Sequence, residues 1–435
     1  LFKADQHEVI ADGERPLHQH TVGGEKRQHF LVGHVGQLRR DAVCTVDDCR
    51  IGSFGSVYRT CRSKLYKTHS KEINMSLFLS SSEVGRRIVA ISDIHASLDL
   101  LLKLLERVKL DDRDLLVFDG DYINRGPESL ETVRFLMRLI KERGNTVILK
   151  GNIERLGEWY LRRGRIEDII PHLSDHKKNL LLDWANEAGF DHVGYDNLEL
   201  MRPILAKRFA AEAEFIRDLP FGLETESFIF VHAGIAPEGD WKESSEQTIL
   251  KNDGYLASGK NPTDKTVIVG HMPVWNLPES GSSNCPLFYP DRRIIGIDGG
   301  TGVKSFSQLN ALLIEDGHIT WEFADDAPTV RARADWSPSV QNEFLKFSWP
   351  NYFLEIVERG EEFSRCRICG SDRVGMVKNE HITLENGKPC FSANSTPLLL
   401  ECTAGEELYL LDRCGGYCMV KKASGDMGWI PKDCI

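Results

Sequence analysis

The stretch Ile88-Val89-Ala90-Ile91-Ser92-Asp93-Ile94-His95 decides the fold, because an apolar run predicted as a strand ends in two side chains that can bind metal. Polar residues follow or interrupt apolar runs again at Gly120-Asp121, Gly151-Asn152, His232-Ala233-Gly234 and Gly270-His271. Open α/β sheets gather their sites where strands end. The ligand types are carboxylate, imidazole and amide, so the pattern predicts a dinuclear metal centre and therefore chemistry on a phosphate ester.

Length and composition narrow the class of protein. A chain of 435 residues is too long for one ordinary core, so we expect two or three domains. The net charge of −11 argues against a nucleic-acid partner, and no apolar run approaches the roughly 18 residues that a membrane helix needs. Seven of the eleven cysteines lie in the last 70 residues and only Cys285 lies between residues 75 and 330. This distribution favours a reducing cytoplasm over a secreted disulfide protein.

Residues 1–74 are a poorly patterned leader. They hold six of the fourteen histidines and show little apolar periodicity, and the first methionine of the chain is Met75. We expect the native protein to start at Met75, with the preceding residues being a non-native extension or a disordered arm. A genuine leader is the alternative.

Strand and helix patterns alternate from residue 87 to residue 325, which predicts α/β structure with a largely parallel sheet. The predicted strands are 88–92, 114–119, 146–150, 227–231, 266–269, 293–297 and 308–314, with helices at 98–108 and 128–143. Residues 155–220 are predicted to form a helical insert whose core includes Trp159, Tyr160, Ile169, Leu180 and Trp184. We expect a connector with a helix at 326–380 and a small β-barrel at 381–435, where short strands alternate with Gly-rich turns.

The polar residues at the strand ends are the ligand types of a two-metal hydrolytic site. Asp93 and His95 are two positions apart and can share a pocket, and Asp121 can bridge the two metals. The remaining candidate ligands are Asn152, His232 and His271. Oxygen and nitrogen ligands without thiolate suit manganese or iron, with zinc as an alternative.

These blocks resemble the catalytic core of the phosphoprotein phosphatase family, a branch of the calcineurin-like metallophosphoesterases. The resemblance covers about residues 87–315 and rests on Ser92-Asp93-Ile94-His95, Gly120-Asp121-Tyr122-Ile123-Asn124-Arg125-Gly126, Gly151-Asn152-Ile153-Glu154, His232-Ala233-Gly234 and Gly270-His271. It implies an α/β sandwich of two mixed sheets flanked by helices. It also implies that the six candidate ligands hold two divalent metal ions and that Arg125 grips the phosphate.

Two departures from the family pattern concern the leaving group. The family has Asp where this chain has Asn124, and His where it has Ile153. In the family those two residues pair, and the His is proposed to protonate the leaving oxygen. Losing both together avoids an unpaired buried charge, and it makes Asn124 the catalytic-loop candidate. Lys251 best matches an arginine found in many bacterial members and is expected to bind substrate, with a solvated loop lysine as the alternative.

The expected chemistry is in-line attack of a metal-bridged hydroxide on phosphorus, with Arg125 and Lys251 neutralising charge on the phosphate. Without a leaving-group acid, we expect aryl phosphates or anhydrides to be preferred over alkyl phosphoserine. The leading interpretation is a phosphatase acting on phosphoprotein or a small phosphorylated compound. The alternatives are a dinucleoside polyphosphate hydrolase and an inactive metal-bound scaffold that recognises phosphorylated partners.

Two features of the C-terminal segment suggest binding. Gly428-Trp429-Ile430-Pro431 resembles the end of an SH3-like barrel, a class that binds peptides, although a purely packing role is equally open. Cys366-Arg367-Ile368-Cys369 is half of a zinc knuckle, which His381 and Cys390 would complete. Ordinary reduced cysteines are the alternative to this structural zinc.

Overall fold

A computed structural model describes residues 78–83, 85–339, 346–348, 350–391, 396 and 398–435. The predicted leader at 1–74 lies outside the described residues. Strands β1 to β11 are Phe78–Ser80, Ile88–Ile91, Leu115–Asp119, Thr146–Leu149, Gly222–Glu224, Phe228–Val231, Thr266–Val269, Leu287–Tyr289, Ile294–Gly296, Leu309–Glu315 and His318–Ala324. Helices α1 to α9 are Leu98–Val108, Ser129–Glu142, Arg155–Glu158, Ile166–Asp175, Leu180–Glu187, Leu198–Arg208, Ala210–Arg217, Glu246–Leu250 and Tyr255–Ser258.

Two mixed sheets pack face to face. One has the strand order β11-β10-β2-β3-β4 and the other β1-β5-β6-β7-β9-β8. Their shared interior is apolar and includes Ala90, Val117, Phe230, Ile268 and Leu312. Each sheet combines parallel and antiparallel pairs, so the prediction of a largely parallel sheet is wrong. The two-sheet α/β sandwich that the resemblance implies is confirmed.

Helices cover the outer face of each sheet because their apolar residues recur at helical spacing. In α1, Leu101, Leu104 and Leu105 are buried against the first sheet, and the helix ends at Lys109 in the left-handed conformation. The segment predicted as a helical insert, 155–220, contains the five helices α3 to α7, the last of which ends at Arg217, and a π-helical turn at Trp159–Arg163. Tyr160, Ile169, Leu180 and Trp184 are fully buried as predicted, whereas Trp159 is half-buried.

The C-terminal region is rich in strands, but its organisation differs from the prediction. Strands β12 to β20 are Thr329–Arg331, Leu354–Glu358, Phe363–Ile368, Val374–Lys378, Ile382–Glu385, Lys388–Phe391, Glu407–Cys414, Tyr417–Lys421 and Met427–Pro431. β12 pairs with β18, so part of the expected connector belongs to the C-terminal sheet. The described part of 326–380 contains strands and no α-helix. The strands form sheets of four, three and two, β12-β18-β19-β20, β13-β14-β15 and β16-β17.

The C-terminal strands are joined to the sandwich through a buried interface. The Lys421 side chain is fully buried, forms an ion pair with Asp325, and donates a hydrogen bond to Oε1 of Gln308 at 3.0 Å. Beside this contact, Trp275 of the sandwich packs with apolar residues of the C-terminal strands, which are Cys414, Met419, Met427 and Trp429. Within the described ranges, every helix is too short or too polar to cross a membrane.

Candidate metal centre

The loops after five strands bring the six predicted ligands to one place. Asp93 follows β2, Asp121 follows β3, Asn152 follows β4, His232 follows β6 and His271 follows β7. The ligands form two groups, and within each group the ligand atoms all lie within 4.8 Å of one another. The first group is Asp93, His95 and Asp121, and the second is Asp121, His232 and His271. The two groups share Asp121, which is the arrangement that a bridging carboxylate requires.

The contacts of His232 leave a place for a cation. Nδ1 of His232 lies 2.9 Å from the backbone carbonyl oxygen of Asp119, which can only accept, so Nδ1 carries the ring hydrogen. Nε2 then turns its lone pair toward Oδ1 of Asn152 at 3.0 Å and Oδ1 of Asp121 at 3.3 Å. Three acceptors facing one another are stable only around a positive charge. Burial alone would lower the pKa of His232, yet the Asp121 carboxylate raises it well above its ordinary value. The raised pKa shows that this site favours a positive charge, which either a proton or a metal ion can supply.

The first group shows a similar gap. Nε2 of His95 lies 3.9 Å from Oδ1 of Asp93 and 3.8 Å from Oδ2 of Asp121, too far for hydrogen bonds. Burial lowers the pKa of His95 to about 3, so its ring is neutral and can donate a lone pair to a metal. Oδ2 of Asp93 is occupied instead by the hydroxyl of Ser92 and by the backbone N–H of His271 at 3.0 Å.

An excess of buried acid surrounds both groups. Burial raises the pKa of Asp119 to about 7, of Asp298 to about 6 and of Glu154 to about 7. Burial and the nearby Asp298 carboxylate raise the pKa of Asp93 well above its ordinary value. Both side-chain oxygens of Asp119 are buried without a hydrogen-bond partner among the described residues. Uncompensated buried carboxylates are costly, so this donor set fits divalent cations.

The backbone around the site is strained. Seven of the eleven described non-glycine residues with positive φ lie here, and they are Asp93, His95, Ala96, Asp121, Asn124, Arg125 and His271. Such conformations cost about 1–3 kcal/mol each and persist where the surrounding structure enforces them. The adjacent glycines are required by crowding: a Cβ on Gly120 would lie 2.6 Å from Nδ1 of His232, and one on Gly270 would collide with Ser92 and Asp93.

Two acidic residues that the sequence analysis did not assign support the ligands. The Glu154 carboxylate accepts hydrogen bonds from the backbone N–H groups of Asp121 at 2.9 Å, Tyr122 at 2.8 Å and Gly151 at 2.8 Å. Its position in the Gly-Asn-Ile-Glu block was the available signal. Asp253 contacts His271, but it lies in a loop whose sequence carries no comparable signal.

The two catalytic-loop residues have different surroundings. Asn124 is buried, with Oδ1 accepting from the N–H of Leu180 at 2.9 Å and Nδ2 donating to the Tyr160 hydroxyl at 3.2 Å. Both polar ends of Asn124 therefore bind the helical insert, and its expected catalytic role stays a prediction. Arg125 is exposed, and its side chain makes no hydrogen bond or ion pair with another described residue.

The other two substrate-related positions lie at the edge of the site. Lys251 is half-buried at the end of α8, and its charge acts on Asp253, the residue that contacts His271. Ile153 is half-buried and donates its backbone N–H to Oδ1 of Asp121 at 2.9 Å. An apolar side chain therefore stands where the family places its histidine.

The structural zinc considered at the C-terminal cysteines is not formed. Among the described residues, groups of three or more metal-binding side chains occur only at the two clusters above. Cys366 is buried within β14 and Cys369 is exposed beyond it, while Cys390 lies beside the Thr383 hydroxyl at 3.2 Å. His381 instead pairs with Asp412. The cysteines are separated because antiparallel pairing sets their positions.

Comparison with known proteins identifies the family. The profile described as "Calcineurin-like phosphoesterase" matches residues 86–297. A protein named "Bis(5'-nucleosyl)-tetraphosphatase, symmetrical" from Methylobacillus flagellatus is 31% identical over 277 residues, which is 56% of this chain and 97% of that protein. One of the same name from Aliivibrio fischeri is 48% identical over 199 residues, covering 44% of this chain and 60% of that protein.

Other matches are partial or structural. The chain spans about half, 53%, of the length of a relative of the same name from Coxiella burnetii, at 32% identity over 185 residues, which is 40% of this chain. A solved structure of a metallophosphoesterase from Sphaerobacter thermophilus is 16% identical, with a TM-score of 0.34, and covers 55% of this chain and 88% of that one. On the near-complete Methylobacillus match and the family profile, this chain belongs to the calcineurin-like metallophosphoesterase family, hydrolases that use a dinuclear metal site.

Proposed function

We propose that this chain hydrolyses a phosphoanhydride bond in a dinucleoside polyphosphate. The observation that carries the proposal is the pair of ligand groups sharing Asp121. Under this proposal, six residues would hold two divalent cations, with manganese favoured and iron or zinc as alternatives. The six are Asp93, His95, Asp121, Asn152, His232 and His271. Such cations supply Lewis acidity and lower the pKa of bound water.

The names of the relatives and the leaving-group chemistry both support an anhydride substrate. The Methylobacillus and Aliivibrio relatives are named as symmetrical bis(5'-nucleosyl)-tetraphosphatases. Neither Asn124 nor Ile153 can supply the proton that an alkoxide leaving group needs. A phosphate leaving oxygen, with a pKa of about 6, departs as an anion without such help. Symmetrical cleavage of a four-phosphate chain would release two nucleoside diphosphates.

The exposed Arg125 is the group that meets the phosphate. Its guanidinium is not occupied by any described neighbour, and two parallel N–H donors suit the equatorial oxygens of a phosphoryl group. Asn124 holds the loop of Arg125 against the helical insert through Leu180 and Tyr160. Lys251, near Asp253, adds a second positive charge to the site.

Hydrolysis of phosphate monoesters, including phosphoprotein, is the second candidate. A free Arg125 beside the metal centre suits any terminal phosphate. The missing leaving-group acid counts against alkyl esters, because acid catalysis is typically worth about 10²–10⁴-fold in rate. The same reasoning favours aryl over alkyl phosphates among monoesters.

The test is a substrate panel with manganese. We expect a dinucleoside tetraphosphate to be cleaved to two diphosphates with a higher kcat/KM than either p-nitrophenyl phosphate or a phosphoserine peptide. Preference for the phosphopeptide would favour the second candidate. The Asp121→Asn variant should lose turnover of every substrate. Metal binding by the wild-type protein without turnover of any substrate would point instead to a phospho-recognition scaffold.

We also infer a cytoplasmic location and a packing role for the C-terminal strands. All the described cysteines are free thiols, which suits a reducing compartment. Trp429, the aromatic residue that an SH3-like groove would offer to a peptide, is buried, and its Nε1 donates to the carbonyl oxygen of Thr396 at 2.9 Å. Binding of a labelled proline-rich peptide to the intact chain would contradict the packing role.

A further inference from the structure

A segment of the helical insert is fixed beside the phosphate-facing loop. The backbone N–H of Arg125 donates to the carbonyl oxygen of Lys178 at 2.9 Å, and Asn124 accepts from the N–H of Leu180 at 2.9 Å. Asn179 caps α5 by accepting from the N–H of Leu182 at 3.0 Å, which fixes the segment in turn. Residues 177 and 178 are thus held at the rim of the metal centre rather than on a remote face.

This rim carries unneutralised positive charge. Arg125, Lys177 and Lys178 are all exposed, and none forms an ion pair with another described residue. By contrast, Arg134 elsewhere on the insert interface pairs with Glu187 at 2.6 Å and Glu212 at 3.0 Å. Three neighbouring cations repel one another. Because the chain as a whole has a net charge of −11, the electrostatic potential at the rim is positive where that of the whole protein is negative.

The neighbouring histidines respond to the same field. His172 is half-buried one helical turn before His176, with their rings 4.4 Å apart. The pKa of His172 is lowered to about 4, chiefly by burial, with the charges of His176 and Arg125 acting in the same direction and that of Asp175 opposing them. The guanidinium of Arg125 is therefore within electrostatic reach of the insert, and the positive potential extends along this edge.

We propose that Lys177 and Lys178, together with Arg125, form a subsite for the phosphates of a polyphosphate chain that extend beyond the phosphate at the metal centre. The proposal rests on the proposed function, because a single terminal phosphate needs only Arg125. A tetraphosphate carries several negative charges in a row, and an acidic protein repels them unless a basic path leads away from the metals. The insert supplies that path, so it selects for chain length rather than for the nucleoside.

The experiment compares two double variants that remove the same charge. Lys177→Ala/Lys178→Ala alters the rim, and Lys260→Ala/Lys388→Ala removes two exposed lysines outside it that form no ion pair with a described residue. The probe is a non-hydrolysable, methylene-bridged dinucleoside tetraphosphate, used as an inhibitor of p-nitrophenyl phosphate turnover in excess manganese. Lys177→Arg/Lys178→Arg retains the charge and checks that the segment still folds.

We expect the inhibition constant of the probe to rise about tenfold in the rim variant, which corresponds to about 1.4 kcal/mol. It should stay within about twofold of wild type in the control and in the arginine variant, and the effect should shrink as salt is raised. Equal inhibition constants in the two alanine variants, or no inhibition of the wild type, would overturn the subsite. Failure of the proposed function would appear separately, as inhibition by the probe without cleavage of the natural tetraphosphate.

Discussion

Nε2 of His271 lies 2.8 Å from Oδ1 of Asp253, which leaves Nδ1 as the ring nitrogen that can turn toward Asp121 and His232. His271 itself sits in a left-handed backbone conformation, with a φ of 65°. A carboxylate that accepts from one imidazole nitrogen fixes the tautomer and increases the basicity of the other. Asp253 is therefore a positioning residue for the second ligand group.

Removing that support should weaken metal binding. We expect Asp253→Ala to lower the affinity for Mn²⁺ about tenfold, because outer-shell partners of histidine ligands typically contribute 10–100-fold. Isothermal titration of metal-free protein measures this directly, without using activity. Asp253→Asn, which retains an acceptor, should lie between the alanine variant and wild type. The exposed Asp264→Ala is the control, and an equal loss of affinity there would refute the assignment.

The shared carboxylate can be tested through stability. Manganese should raise the Tm of the wild-type protein, since a ligand that binds only the folded state stabilises it by mass action. Asp121→Asn should abolish most of this increase because both ligand groups lose their common member. Thermal melts with and without metal give the answer. A full Tm increase in the variant would mean that Asp121 is not the bridging residue.

Glu154 should matter for folding even without metal. Glu154→Gln places an amide N–H₂ against backbone N–H groups that the carboxylate now satisfies, so we expect a loss of about 1–3 kcal/mol in the free energy of unfolding. Urea denaturation in the presence of a chelator measures it. The exposed Glu142→Gln should change the same quantity by less than about 0.5 kcal/mol. Similar losses in both variants would argue against the three-bond role.

Lys346 gives a pH-dependent prediction. Burial lowers its pKa to about 7 from an ordinary value of 10.5, and its Nζ donates to the carbonyl oxygen of Leu277 and to Oγ of Ser280. Between those two pH values the unfolded chain binds this proton and the folded chain does not, so its contribution to stability rises with pH. We expect the free energy of unfolding of the wild type to rise from pH 7 to 10 relative to that of Lys346→Met. Parallel pH profiles of the two proteins would show that the group is not perturbed.

The buried Lys421–Asp325 pair should be costly to break on one side. Both side chains are almost fully buried, so Lys421→Met should destabilise the protein by about 3–5 kcal/mol through the unpaired carboxylate. The double variant Lys421→Met/Asp325→Leu should recover most of that loss. The exposed pair Lys103–Asp326 offers the matched control, where Lys103→Met should cost less than about 1 kcal/mol. Chemical denaturation would decide between these outcomes.

The sequence predicted well what local pattern determines. Strand β2 and helix α1 follow from periodicity, and each candidate ligand follows or lies near the end of an apolar run, so the convergence of Asp93 and His271 could be expected before the fold was known. The hydrogen-bond partners of those ligands could not be predicted from the sequence. Asp253 meets His271 because the tertiary fold brings the loop after α8 to this ligand, and no spacing in the sequence reports that.

Contacts between segments that are far apart in the sequence could not be predicted either. Asn124 looked like a substituted catalytic residue, and only the packing of the helical insert shows that Tyr160 and Leu180 occupy its side chain. The three-residue strand β12 has no periodicity to detect, yet it forms an edge of the C-terminal sheet by pairing with β18. The zinc expectation failed for the same reason, since cysteine spacing does not show which strand faces bring the thiols together.

The buried lysine at the junction has a practical consequence for anyone who would isolate the hydrolytic half. A truncation after residue 325 would delete Lys421 and leave Asp325 without its counter-charge. It would also uncover Trp275. Such a fragment would expose an apolar surface next to an unpaired carboxylate, so we expect it to aggregate during expression. The C-terminal strands cover that surface, so shortened versions of this chain should be made only with the uncovered residues redesigned.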